Sequence, residues 1–285
     1  MTCSHNIIQK IMFVLLVSFI FGMHVRSEER VSWVLYDLPP NIFVDQDRMG
    51  EGSFGFILPI LKNKISNYKH DFFVVPHARF FKSAKSGESW CMPGLYKTKE
   101  REEFLKYSKA FTVILPEQII FNRRAFFDVS GYKEISLEDI FSRQEFTAGL
   151  IKRSYSLEVD KIVERYKNQD NMHIAPIKTV QLFQMLDKGY IDYTIEEVST
   201  RIYMEEKYKL NSDFSSLPIK EMNNYSLVYI ACPKNSWGIS IINKVDAVIE
   251  SLWDSNLYRK KSERWVDEHN LSYFRKSYEE ALLTK

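Results

Sequence analysis

Apolar positions along the chain follow two alternating rhythms. Short apolar or alternating runs, Val31–Tyr36, His70–Val75, Ser89–Met92, Phe146–Ile151 and Ile191–Ile195, carry the signature of β-strands. Between them apolar residues recur at helical spacing: Phe54, Ile57, Leu58, Leu61 and Ile65, then Val180, Phe183 and Leu186 before Gly189, then Ile242, Val245, Ile249 and Trp253. Pro59 falls inside the first of these helices and is tolerated only near its first turn. Shorter helices are predicted over Arg79–Lys85, after Ser136, and through Leu157, Ile162, Val163 and Tyr166. Two longer extended runs, Ala110–Asn122 interrupted by Pro116 and Ser226–Cys232, are long enough to pass from one layer of the protein to another. Strands alternating with helices describe an α/β protein.

The N-terminus departs from this rhythm. Lys10 precedes a 12-residue apolar run, Ile11–Gly22, which is followed by Val25, Arg26 and Ser27. A run of this length is short for a bilayer span and has the flanks of a secretory signal peptide. Residues 1–27 are therefore expected to be cleaved near Ser27 and the protein to be periplasmic or secreted, the alternative being an uncleaved anchor. Of the 39 basic side chains only Lys10 and Arg26 lie in that segment, which leaves 37 basic against 37 acidic ones in the mature chain. A balanced charge spread along the sequence argues against nucleic acid as a partner. His70, His77, His173 and His269 are scattered without ligand spacing, so no metal and no cofactor is expected. Cys91 and Cys232 are the two cysteines of the mature chain, and the sequence leaves open whether they pair.

The candidate chemistry is concentrated in the stretch from Cys91 to Arg101. A turn at Gly94 lets backbone N–H groups approach an anion, and the planar fork of Arg101 matches both oxygens of a carboxylate. Two other patterns lead nowhere. Gly50, Gly52 and Gly55 have the spacing of a nucleotide-binding loop, but a Pro-Pro turn and a polar loop separate them from the preceding strand, and the other kinase motifs are missing from the sequence. There is likewise no Gly-x-Ser-x-Gly elbow on which to build a catalytic triad.

The order of motifs resembles the family 3 extracellular solute-binding proteins, whose type II periplasmic-binding-protein fold serves amino-acid ABC transporters. The resemblance rests on Leu38-Pro39-Pro40 followed by Gly52–Phe56, on Gly94–Arg101 with Phe104 and Tyr107–Phe111, and on Leu137–Ile140. It continues through Leu186, Gly189 and Asp192 to the closing segment Ser251–Trp265. It implies an α/β protein of two lobes with a central cleft and two crossover strands: lobe 1 from residues 28–112 and 232–285, lobe 2 from 113–231. It also implies a monomer that delivers its ligand to an ABC transporter permease or a membrane sensor. Carried over residue by residue, Arg101 clamps a carboxylate, with Gly94 and Tyr96 where the family has serine donors. Glu197 meets an ammonium, and Ser154 and Arg153 contribute from lobe 2. Tyr36 and Trp90 are candidate cleft walls, with core packing as the alternative. Arg79 is either a further cation of the cleft or a surface helix residue, and Glu197 has the alternative of an exposed acid beside Glu196. Gly94, Tyr96 and Arg153 depart from the family pattern and point to a ligand other than a plain amino acid. The non-transport alternative is a dehydratase-like enzyme on the same fold, with Glu197 as general acid.

Overall fold

The computed structural model describes residues 29–45, 47–122, 132–210, 213–222 and 224–283. Residues 1–27, expected to be a signal peptide, lie outside them, and no described helix is long and apolar enough to cross a membrane.

Two sheets organise the chain. The first is built from β1 (Arg30–Leu35), β2 (Lys69–Val74), β3 (Trp90–Leu95), β4 (Leu105–Tyr107), β5 (Thr112–Ile114) and the late strand β11 (Ser226–Pro233). Its order is β2-β1-β3-β11-β4, with β5 also paired to β11. The first three strands run parallel, and β11 runs antiparallel to β3, β4 and β5. The second sheet has the order β10-β6-β9-β7-β8, from β6 (Gln118–Asn122), β7 (Ala148–Ile151), β8 (Met172–Ala175), β9 (Tyr193–Glu196) and β10 (Phe214–Pro218). The chain thus leaves the first sheet between β5 and β6, across Pro116, and returns between β10 and β11.

Helices cover both faces of each sheet because the strands carry apolar residues on both sides. In β1, Val31, Trp33 and Leu35 point to one core, which they share with α1 (Ile57–Lys64), α8 (Ser236–Glu250), α9 (Asn256–Ser262) and α10 (Glu268–Tyr278). Val34, one step out of phase, faces α2 (His77–Lys85) on the other side, as the two-residue period of a strand requires. The second sheet repeats the arrangement with α4 (Leu137–Ser142) and α5 (Leu157–Tyr166) on one face, and α6 (Thr179–Asp187) and α7 (Val198–Tyr208) on the other. The single turn α3 (Lys99–Glu102) lies between β3 and β4. Ser136 starts α4 as the sequence predicts, but its hydroxyl donates to Glu221 Oε1 at 2.6 Å, and the other oxygen of Glu221 accepts from the Leu137 N–H at 3.0 Å. The cap is borrowed from the segment after β10.

The two halves also touch away from their hydrogen-bonded sheets. Phe43 and Trp265 pack into the core formed by α6 and α7, with the Trp265 ring edge-on to Tyr203. Arg201 of α7 is 8% exposed and pairs with Glu205 at 3.0 Å and with Asp267 just before α10. The Gln118 side chain donates to Asn270 Oδ1 at 2.6 Å.

Cys91 and Cys232, fully buried on neighbouring strands β3 and β11, form a disulfide across a sequence separation of 141 residues. The antiparallel register, which pairs Met92 with Ala231, brings the two Cα atoms to 4.2 Å. Cross-linking so long a loop restricts the unfolded chain strongly, by about 4–5 kcal/mol in the loop-entropy account. The Cys91→Ala/Cys232→Ala variant should therefore melt about 10 °C below the parent in a calorimetric scan, and a reductant should lower the parent's melting temperature but not the variant's.

Candidate functional site

The carboxyl ends of β1, β3 and β9 converge on a cavity of about 320 Å³ between the two sheets. Such ends are where open α/β sheets hold ligands, because several loops and free backbone groups meet there. Residues from both sheets line it, among them Tyr36, His77, Tyr96 and Arg101 from one side and Arg153, Glu196 and Glu197 from the other.

On the first side the backbone is shaped by Gly94. Its φ is +81°, and a Cβ there would come within 2.6 Å of the Phe54 ring, so both the dihedral and the packing require glycine. The turn directs the chain through Tyr96 to α3, whose cap Thr98 accepts the Arg101 N–H at 3.3 Å. The Arg101 guanidinium donates through Nη1 to the Tyr96 carbonyl at 3.2 Å and lies 4.7 Å from the Phe81 ring. The Tyr107 hydroxyl donates to the same carbonyl at 3.3 Å. No carboxylate pairs with Arg101 among the described residues, which leaves its charge uncompensated there. Beside it the His77 ring sits 3.7 Å, centroid to centroid, from Tyr36. Burial and then the nearby Arg101 charge push the His77 pKa down, which keeps the imidazole neutral at pH 7.

The opposite side is acidic. Glu197 Oε2 accepts from Ser199 Oγ at 3.0 Å and from Asn41 Nδ2 at 3.4 Å. Asn41 belongs to the loop after β1 and is itself gripped by Ser53, whose hydroxyl donates to Asn41 Oδ1 at 2.5 Å. This polar chain connects the two sheets through the cleft floor. Glu196, at the last position of β9, is only 2% exposed. Arg153 Nη2 lies 2.7 Å from Glu117 Oε1 and 3.3 Å from Glu196 Oε1, with its guanidinium 4.6 Å from the Tyr155 ring. Burial raises the pKa values of Glu117 and Glu196 to about 7 each, with Arg153 opposing the shift and the neighbouring carboxylates adding to it. Burial also raises that of Glu197, against the hydrogen bonds from Ser199 and Asn41. One guanidinium is thus shared by two carboxylates with a third close by.

Of the residues singled out in the sequence, Tyr36, Gly94, Tyr96, Arg101, Arg153 and Glu197 all line the cavity. Three others are held elsewhere. The Ser154 hydroxyl donates to Asp160 Oδ2 at 2.5 Å, and the Tyr155 N–H goes to the other oxygen of Asp160, so Asp160 takes the donors that Ser154 and its neighbour were expected to offer a ligand. Trp90 begins β3, at the end of the strand away from the cavity, and stacks on Phe73. Arg79 is exposed and reaches over the Trp90 ring at 5.7 Å, which favours the surface-helix alternative. The alternative of Glu197 as an exposed acid is corrected: it is partly buried, beside the buried Glu196. Asn41, Glu117 and His77 were not assigned to the site from the sequence, since each reaches the cleft through tertiary packing and no local motif marks it. The position of Glu117 just after Pro116, in a run long enough to join two layers, was the one available sign.

No family model matches the sequence, and no curated protein sequence matches it. The fold is nevertheless similar to many solved structures. The probable amino-acid ABC transporter extracellular-binding protein ytmK from Bacillus subtilis is matched with a TM-score of 0.63 at 16% identity, over 84% of this chain and 98% of that one. Substrate-binding domain 2 of Lactococcus lactis GlnP, in its open conformation, is matched with a TM-score of 0.59 at 14% identity, over 84% of this chain and 96% of that one. A histidine kinase sensor domain with similarity to periplasmic binding proteins is matched with a TM-score of 0.56 at 16% identity, over 85% and 98%. Together with the two sheets and the cavity between them, these likenesses identify the architecture as the two-lobed type II periplasmic-binding-protein fold.

Proposed function

We propose that this chain is an exported receptor that closes two lobes around a small carboxylate-bearing ligand, an amino acid or related zwitterion, and presents the closed form to an ABC transporter or membrane sensor. The lobes of this reading are the two sheets with their helices. The observation that carries it is the uncompensated Arg101 guanidinium facing, across one cavity, a wall of carboxylates. An arginine without an acidic partner is prepared to receive a carboxylate, and Glu197 is prepared to receive an ammonium. Contacts from both walls favour the closed arrangement, and only such differential affinity shifts the population of the two states. The buried disulfide supports an oxidising compartment and so an exported protein. The same fold serves transport proteins and a sensor kinase among its neighbours, and the partner of this chain is proposed at that level.

The first test is ligand screening by thermal shift with amino acids, dicarboxylates and small peptides, followed by calorimetry on any binder. Arg101→Ala should weaken binding by roughly 10- to 150-fold, corresponding to about 1.5–3 kcal/mol, and Arg101→Lys should recover only part of it because the bidentate fork is gone. Unchanged affinity in Arg101→Ala would remove the carboxylate assignment.

The second test concerns protons. Glu117 and Glu196 are raised to about 7 by burial, so near neutrality each is partly protonated in the empty protein. A ligand ammonium arriving at Glu196 and Glu197 favours the ionised form of Glu196 and, past the Arg153 they share, of Glu117, and expels protons. Binding enthalpies measured at pH 7 in two buffers of different ionisation heat should report net proton release, reduced in Glu117→Gln. Affinity should fall as pH drops from about 7.5 to 5.5, as these carboxylates fill with protons. The sign for stability follows from the same raised values. The folded state binds more protons than the unfolded chain between about pH 4.5 and 7, so these two groups make the empty protein less stable as pH rises through that window.

A further inference from the structure

Behind the cavity that holds Arg101 lies a second one of about 370 Å³, and the two share Tyr96 and Glu197 as lining. Their chemistry is opposite. The front chamber contains the guanidinium groups of Arg101 and Arg153. The rear chamber has Glu117, Glu158 and Glu221 among apolar and aromatic neighbours, with no Lys, Arg or His side chain in its described lining. Two of these carboxylates are already engaged, Glu221 in capping α4 and Glu117 with Arg153 of the front chamber, which leaves Glu158 to face the rear one.

Tyr96 is built as a side group on a fixed post. Its carbonyl receives both the Arg101 guanidinium and the Tyr107 hydroxyl, and its neighbour Leu95 is paired to Tyr229 of β11. The side chain is held less firmly: the residue is 42% exposed, and its hydroxyl makes no hydrogen bond among the described residues. A rigid backbone therefore places a large ring at the border between the chambers.

We propose that Tyr96 sets the length of the ligand: its ring closes the front chamber against the acid-lined rear one, so the native ligand ends at Tyr96. This inference rests on the receptor reading, with the ligand carboxylate at Arg101. Removing the ring merges the chambers, and the rear one then favours a ligand whose extension ends in a cation.

The test uses two ladders of L-amino acids. The basic ladder runs through 2,3-diaminopropionate, 2,4-diaminobutyrate, ornithine and lysine, and the neutral ladder through alanine, 2-aminobutyrate, norvaline and norleucine. Each rung adds one methylene, and dissociation constants are measured by calorimetry for the parent, Tyr96→Ala, Tyr96→Phe and Arg101→Ala. The parent should lose roughly tenfold or more in affinity at one rung, the scale at which a pocket rejects an extra methylene. Tyr96→Phe should keep that cutoff, because the ring and not the hydroxyl forms the barrier. Tyr96→Ala should abolish the cutoff, with the larger gain on the basic ladder.

A cutoff that stays at the same rung in Tyr96→Ala, or a parent that accepts every rung equally, overturns the inference while leaving the receptor reading intact, provided Arg101→Ala still weakens binding by roughly tenfold or more. No binding to any rung overturns this inference alone, whereas binding by the parent that is indifferent to Arg101→Ala overturns the receptor reading and this inference with it. Melting curves of each variant show that any loss comes from the site and not from unfolding.

Discussion

Strand β11 is the constraint on which the geometry of the first lobe depends. It is the single antiparallel strand to which β3, β4 and β5 are all joined, and the disulfide fixes it covalently to β3. The turn at Gly94 and the guanidinium of Arg101 lie within a few residues of that junction. An anion site needs donors held in place before the ligand arrives, since ordering them at binding costs affinity. The fixed β3–β11 pair supplies this, and the Tyr96 carbonyl, held by two donors, extends the rigidity to the edge of the cleft.

The second wall is governed by a different constraint, a shortage of positive charge. Glu117, Glu196 and Glu197 crowd around Arg153, and burial makes full ionisation of all three costly. Such a wall is poorly satisfied while empty and better satisfied by an incoming cation. The first wall has the converse problem, an arginine without an acid. In the proposed receptor a zwitterion relieves both at once, and relief on both walls couples binding to closure. The Ser53–Asn41–Glu197 chain keeps the acidic wall in register with the first lobe, while Phe43, Trp265 and the Arg201–Asp267 pair hold the two halves together at α7.

Much of the fold was legible because its strands and helices carry clean periodicities. Val31, Trp33 and Leu35 alternate with Val34 along β1, and α1 and α8 each present a regular apolar stripe. The unread elements lack such patterns. Strands β4, β8 and β10 are three to five residues long. Helix α7 interrupts its apolar face with the buried Arg201, which is held by Glu205 in the same helix and by Asp267, 66 residues later. The same division runs through the site. Gly94 and Arg101 sit in a local motif and Glu197 follows from the family resemblance, whereas Asn41 and Glu117 reach the candidate site only when distant loops meet. Ser154 was read as a ligand donor because it precedes a helix, but Asp160 inside that helix satisfies it. Local sequence shows which groups can bind an anion and not which of them the fold has already used.

The central claim is that Arg101 recognises a carboxylate. The most direct measurement is a double-mutant cycle between protein and ligand, comparing an amino acid with its α-carboxamide in the parent and in Arg101→Ala. The account predicts that the parent prefers the acid by roughly tenfold or more and that the preference collapses when the guanidinium is removed. An equal preference in both proteins would place the carboxylate elsewhere and contradict the account.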